Sequence, residues 1–196
     1  MKSESNLSLI STEMIKSMEK VDLTVVGKAI ELLCSAYRKG RNVYCIGNGG
    51  SASTAAHFAA DLGKFATGNK VGFRALDLVS NYSAHTAWTN DSSWENTWVG
   101  MLNPWIQEDD ILVLFSVNGG NGWSNNLVKA IELSVGRGAK TIGFAGNGGG
   151  AFVKLCDVSV IVPTPQSEFI TPITEAIHVC IHHIICTEIR RRMNDE

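Results

Sequence analysis

Asn42-Val43-Tyr44-Cys45-Ile46-Gly47-Asn48-Gly49-Gly50-Ser51-Ala52-Ser53 is the stretch from which the fold of this chain is read. Residues 42–46 are β-branched and aromatic, bounded by Lys39-Gly40-Arg41 and by glycines, which predicts a short buried strand. Residues 51–62 are Ala-rich and free of Gly and Pro, which predicts a helix opened by Ser51 or Ser53. A strand, a glycine turn and a helix N-terminus direct several backbone N–H groups and the positive end of a helix dipole at one point, where they hold an anion such as phosphate. His57 and Asp61, four apart, share one face of that helix. The turn is neither a dinucleotide fingerprint, since G-x-G-x-x-G is absent, nor a P-loop, since no Gly-Lys-Ser/Thr follows.

Composition narrows the class. With 196 residues, 44% hydrophobic and 18% charged, the chain has enough apolar material for one soluble domain over residues 1–196. A formal net charge of −2 gives no basic surface for nucleic acid. The polar start, Met1-Lys2-Ser3-Glu4-Ser5-Asn6, is not a secretory signal, and no apolar run approaches membrane length, so the expectation is a cytoplasmic protein without a membrane partner. Cys34, Cys45, Cys156, Cys180 and Cys186 lie in apolar segments without C-x-x-C spacing and read as reduced core thiols.

Outward from the opening stretch, residues 1–20 are weakly helical in pattern, an arm suited to packing on another subunit. Residues 22–39 form a stronger helix capped by Asp22, with Val25, Val26, Ala29, Ile30, Leu33 and Ala36 as its apolar stripe. These N-terminal helices, within residues 1–40, are expected at a subunit interface. Residues 73–78 read as a second strand. In the tryptophan-rich region 80–106, Trp94, Trp98 and Trp105 lie four and seven apart, along one side of a helix, and packing explains them better than sugar stacking. Ile111-Leu112-Val113-Leu114-Phe115-Ser116 is a continuous apolar run typical of a parallel strand buried on both faces. A glycine-rich loop (117–124), a helix (125–136), a strand (141–145), a third glycine loop (146–150) and a strand (158–162) follow. Pro163 and Pro165 close that strand, and a helix runs from about Pro172 to Arg192. Strands alternating with helices predict a three-layer α/β domain with a five-stranded parallel sheet. Three glycine turns then gather at the carboxyl ends of the strands, where open sheets of this kind bind ligands.

Two further places carry chemistry. Ser116 and Ser124 flank the second glycine loop, and their hydroxyls complete a phosphate cradle with Ser51. Glu175, His178, His182 and His183 fall on the last helix, which holds three of the five histidines. Helical spacing groups Glu175, His178 and His182 and puts His183 at the edge of a face made by Ala176, Cys180 and Ile184. Spacing alone does not choose among the three histidines.

Gly47-Asn48-Gly49-Gly50-Ser51-Ala52 with His57-Phe58-Ala59-Ala60-Asp61-Leu62 strongly resembles the phosphoheptose isomerases, a branch of the sugar isomerase (SIS) domain family. Asn90-Asp91, the loop at Ser116, Gly146-Asn147-Gly148-Gly149 and the last helix match further family segments, so the resemblance covers nearly the whole chain. It implies a flavodoxin-like SIS domain, a homotetramer with sites at subunit interfaces, and isomerisation of sedoheptulose 7-phosphate to a heptose phosphate. A related SIS protein that partners the replication initiator without catalysis is the alternative; the carboxylate at 61 and the histidine at 183 argue for the enzyme.

Carried over by position, the acid/base pair falls on Asp61 and His183, and zinc, one per subunit, on His57, Asp61, Glu175 and His183. The sugar phosphate falls to Asn48, Gly49, Gly50, Ser51, Asn90 and Asp91, together with Ser116, Asn118, Ser124 and Glu175. Imidazole and carboxylate donors suit zinc. Shifting a carbonyl between C1 and C2 removes a proton beside it and returns one to the adjacent carbon of an enediol; a carboxylate and an imidazole on opposite sides of the sugar can do both. Three departures mark this sequence. Asp61 stands where the family has glutamate, Glu175 where it has glutamine, and Ser-Val-Asn-Gly-Gly-Asn-Gly-Trp-Ser replaces the compact Ser-Thr-Ser-Gly-Asn-Ser.

Overall fold

A computed structural model describes residues 2–164 and 168–195, so Pro165 lies outside the described residues. Helices α1 (Lys2–Glu19) and α2 (Leu23–Arg38) precede β1 (Asn42–Gly47), α3 (Gly50–Lys64) and β2 (Arg74–Asp77). Then come α4 (Tyr82–Asp91), α5 (Thr97–Leu102), β3 (Ile111–Ser116), α6 (Asn125–Gly136), β4 (Lys140–Ala145), α7 (Phe152–Leu155), β5 (Val158–Ile161) and α8 (Ile170–Asp195). The five strands run parallel in the order β2-β1-β3-β4-β5.

The three layers follow from the two-residue period of a strand. In β3, Ile111, Val113 and Phe115 enter one core with α2, α3 and α8, while Leu112 and Leu114 enter the other with α5 and α6. Every residue of β3 is buried, as its uninterrupted apolar run demands. At the amino ends of the strands, buried Asp110 accepts from the backbone N–H of Asn42 (2.9 Å) and Gln107 (3.0 Å), which leaves the carboxyl ends to the glycine turns.

Asp22 caps α2, accepting from Thr24 N–H at 2.8 Å. The start of α3 differs from the expectation. The helix begins at Gly50 after Gly49 at φ 57°, with no side-chain cap, and Ser51 is buried inside the first turn. Gly47 explains the tightness: a Cβ there would lie 2.6 Å from the Ser51 carbonyl oxygen.

Two other expectations fail locally. The tryptophan region is no single helix, because Ser93 breaks it with a cap that accepts from Asn96 N–H and opens one tight turn, Trp94–Asn96, before α5. Trp98 is therefore buried, while Trp94 and Trp105 are exposed. On α8, the face of Ala176, Cys180 and Ile184 points outward, since Ile173, Ile177, Ile181, Ile185 and Ile189 supply the buried stripe. Cys180 is accordingly exposed rather than a core thiol. The N-terminal arm packs its own chain through Ile10, Met14 and Met18, with Leu7 and Ile15 left exposed. No helix among the described residues is long and apolar enough to cross a membrane.

Candidate active site

α3 and α8 pack against each other on the sheet face they share with α2 and bring four side chains together. Asp61 Oδ2 is 3.2 Å from His183 Nδ1, 3.4 Å from His182 Nε2 and 3.6 Å from His57 Nε2. One donor atom from each of the four residues fits within 4.8 Å of all the others. His182 is fully buried, whereas the His57 and His183 side chains are about half exposed. The rings pack tightly, with 4.1 Å between the centroids of His182 and His183 and 4.5 Å between those of His57 and His182.

Asp61 Oδ2 and both ring nitrogens of His182 are buried without a hydrogen-bond partner among the described residues, because the short contacts are not aligned as hydrogen bonds. Buried polar atoms in that condition are expensive. Burial, reinforced by the neighbouring His183 and His57, pushes the His182 imidazole down to about 4 and keeps it neutral. His178, one turn earlier, is also fully buried between Phe115 and Phe144, and burial likewise lowers it to about 4 against an opposing pull from the Ala145 backbone.

Glu175 takes a different place. Its carboxylate lies against Gly50, where an added Cβ would meet Oε1 at 2.6 Å, so it sits at the positive end of α3. An open cleft of about 400 Å³ runs between these helices, lined by Gly50, Ser53, Thr54, His57, Glu175 and Ala176 among others. His57 belongs to both the cleft and the histidine–aspartate cluster.

The other expected contacts are dispersed. Asn48 exchanges amide hydrogen bonds of 3.0 Å with buried Asn126 and accepts from Trp98 Nε1 at 3.3 Å, which locks its side chain into the framework. Asn90 donates to Asp91 at 2.7 Å, and Asp91 lines a separate hollow with Ala87, Trp88 and Ser92. Ser116 Oγ accepts from Gly120 N–H at 3.5 Å, and Asn118 accepts from Asn147 Nδ2 at 3.2 Å, tying the second and third glycine loops together. Ser124 flanks the start of α6 without capping it, and Trp123 beside it is 88% exposed. Neither Ser116, Asn118 nor Ser124 lines the cleft.

Residues 10–146 match the SIS domain family. The phosphoheptose isomerase of Crocosphaera subtropica is 34% identical over 165 residues, covering 84% of this chain and 80% of that protein. This chain belongs to the SIS domain family, on the phosphoheptose isomerase branch. The structure of phosphoheptose isomerase GmhA from Neisseria gonorrhoeae superposes with a TM-score of 0.83 at 26% identity, over 95% of this chain and 97% of that one. Lincomycin biosynthesis protein LmbN of Streptomyces lincolnensis is 38% identical over 165 residues, or 82% of this chain, and the chain spans 60% of that relative's length.

Within this SIS domain the geometry differs from the ligand set that the resemblance implied. His57, Asp61 and His183 meet, Glu175 stays outside their cluster, and His182 joins it. The expected acid/base pair, Asp61 and His183, is in contact across α3 and α8. Spacing left His182 unselected because adjacent helix positions diverge by about 100°, and only the path of α3 across α8 decides which rings meet Asp61. One signal was readable: two histidines in a row on a helix keep one ring at the seam wherever it falls.

Proposed function

We propose that this chain is an aldose–ketose isomerase that converts sedoheptulose 7-phosphate to D-glycero-D-manno-heptose 7-phosphate or a related heptose phosphate. The contact between Asp61 and His183, beside the cleft that His57 lines, is the observation that carries the reading. Relatives named phosphoheptose isomerase support it, and the non-catalytic alternative is not favoured. With the phosphate at the glycine turns, C1 and C2 of the ketose reach the cluster. Asp61 takes a proton from C1, the C2 oxygen gains one, and a cis-enediol forms. Asp61 then returns a proton to C2 while the O1 proton leaves, giving the aldehyde at C1. His183 Nδ1 faces Asp61, so Nε2 is the nitrogen free to move the proton between O1 and O2. A carboxylate and an imidazole on one side of the sugar suit a cis-enediol, whose two carbons present the same face to one base.

The orphaned Asp61 Oδ2 fits a bound cation, and zinc held by Asp61, His57 and His183, one per subunit, belongs to this reading. When bound, it supplies positive charge that polarises the neighbouring oxygen atoms. Glu175 at the α3 N-terminus occupies part of the anion position, so the phosphate is left to the backbone of the β3–α6 loop with Ser51, Ser116 and Ser124. Asn48 acts through Trp98 and Asn126 by fixing the turn, while Gly49, Gly50, Asn118, Asn90 and Asp91 line the sugar from this chain or a neighbouring one. The assembly is a cytoplasmic homotetramer, with the N-terminal helices at its interfaces and residues 1–196 forming one domain.

The test is turnover of sedoheptulose 7-phosphate. Asp61→Asn and His183→Gln each lower kcat by about 10²–10⁴-fold with far-UV circular dichroism unchanged. Turnover preserved in both variants overturns the assignment.

A further inference from the structure

Three histidines surround Asp61 where the family resemblance supplied two. The third, His182, comes from the buried side of α8, so solvent is not what keeps its nitrogens company. Its Nε2 and Asp61 Oδ2 are 3.4 Å apart, both buried, and neither makes a hydrogen bond among the described residues. A chain that buries two strong polar atoms side by side and pairs neither leaves their satisfaction to a third party. The spacing says what kind. Bonds of about 2.0–2.2 Å from zinc to nitrogen and oxygen separate neighbouring donors in a tetrahedron by roughly 3.4 Å. The three edges that meet at Asp61 Oδ2 measure 3.2, 3.4 and 3.6 Å.

Resting on the isomerase reading of this same pocket, we propose that His182 is a protein ligand of the zinc ion, completing a three-histidine, one-aspartate set that excludes Glu175. Glu175 has another employment: its carboxylate lies against Gly50 at the positive end of α3. The shortened Asp61 fits the same picture, because the added imidazole fills space beside the carboxylate from the core side. Two ligands then come from α3 and two from α8. An ion held by these four residues would also pin the two helices together and hold Asp61 in register, besides the positive charge it supplies. Asp61 binds it through Oδ2, and Oδ1 is left to carry the proton.

Zinc binding to the full-length apo protein, measured by competition with a chromophoric chelator, tests the assignment, with thermal unfolding as a second readout. Wild type binds one zinc per chain and unfolds at a higher temperature with it. Losing a ligand costs more than losing a ligand's supporting partner, which costs about 10–100-fold, so His182→Gln and His182→Leu each weaken zinc by about 100-fold or more and abolish the thermal shift. Glu175→Gln binds zinc as wild type does. Unchanged affinity in both His182 variants, a loss confined to Glu175→Gln, or no binding by wild type overturns the proposal. Turnover of the sugar phosphate by that same zinc-indifferent protein leaves the isomerase reading standing, and zinc binding as described without turnover overturns only the latter. Cobalt substitution separates a ligand from a packing residue: the intense visible bands of a four-coordinate site appear in wild type and collapse in His182→Gln.

Discussion

Asp61 ends one methylene short of the family's glutamate, and the rings of His57, His182 and His183 close around it. At this scale the sequence was only partly legible. Asp61 and His57 were read from i,i+4 spacing because both lie on one helix. Their partners on α8 depended on how α8 crosses α3, which no local pattern encodes. Asn48 is a second case: its hydrogen bonds to buried Asn126 and Trp98 join residues far apart in the chain, which no local pattern encodes. His178 offers a prediction independent of the cluster. The folded chain protonates it only near pH 4, the unfolded chain already near 6.5, so acidification from 6.5 toward 4 favours the unfolded state and stability is restored above 6.5. Urea unfolding at pH 7 and pH 5 should show a loss about 2 kcal/mol smaller in His178→Leu than in wild type, where buried His182 contributes as well. A slope identical in the two proteins contradicts this reading of His178.

The elements were legible where one period dominates. β3 reads as a strand buried on both faces because six apolar or small residues run without a break, and α2 reads as a helix because its stripe and the Asp22 cap agree. α3 was mis-started because Ser51 and Ser53 are good caps in isolation, yet Gly47 and Gly49 bring the turn so close that the helix begins at Gly50. The apolar face of Ala176, Cys180 and Ile184 misled for a related reason: α8 is apolar on more than one side, and burial went to the isoleucine stripe. Gly47→Ala tests the account of the turn. Its Cβ must displace the Ser51 carbonyl, so urea unfolding should show a loss of about 1–3 kcal/mol, with Ser51 moved and affinity for the sugar phosphate lowered. A fully stable Gly47→Ala protein with unchanged KM refutes it.

For the whole molecule, the order of strands and helices was enough to predict a parallel three-layer sheet, because strands alternate with helices and parallel neighbours need a crossover between them. Assembly was not legible in this way. Leu7, Ile15 and Leu23 on the N-terminal helices and Trp105 and Trp123 elsewhere stay exposed on the single chain, apolar surface that the proposed tetramer would cover. Light scattering coupled to size exclusion should give four times the 21.2 kDa chain mass. A fully active species at 21.2 kDa contradicts the tetramer.

The most direct test of the central claim is an NMR experiment in D2O with sedoheptulose 7-phosphate. The account predicts aldose carrying deuterium at C2, because the migrating proton rests on a partly exposed Asp61 and exchanges there, and it predicts no aldose with Asp61→Asn. Aldose formed by wild type with only protium at C2, and formed equally well by Asp61→Asn, would contradict acid/base catalysis by Asp61 and His183.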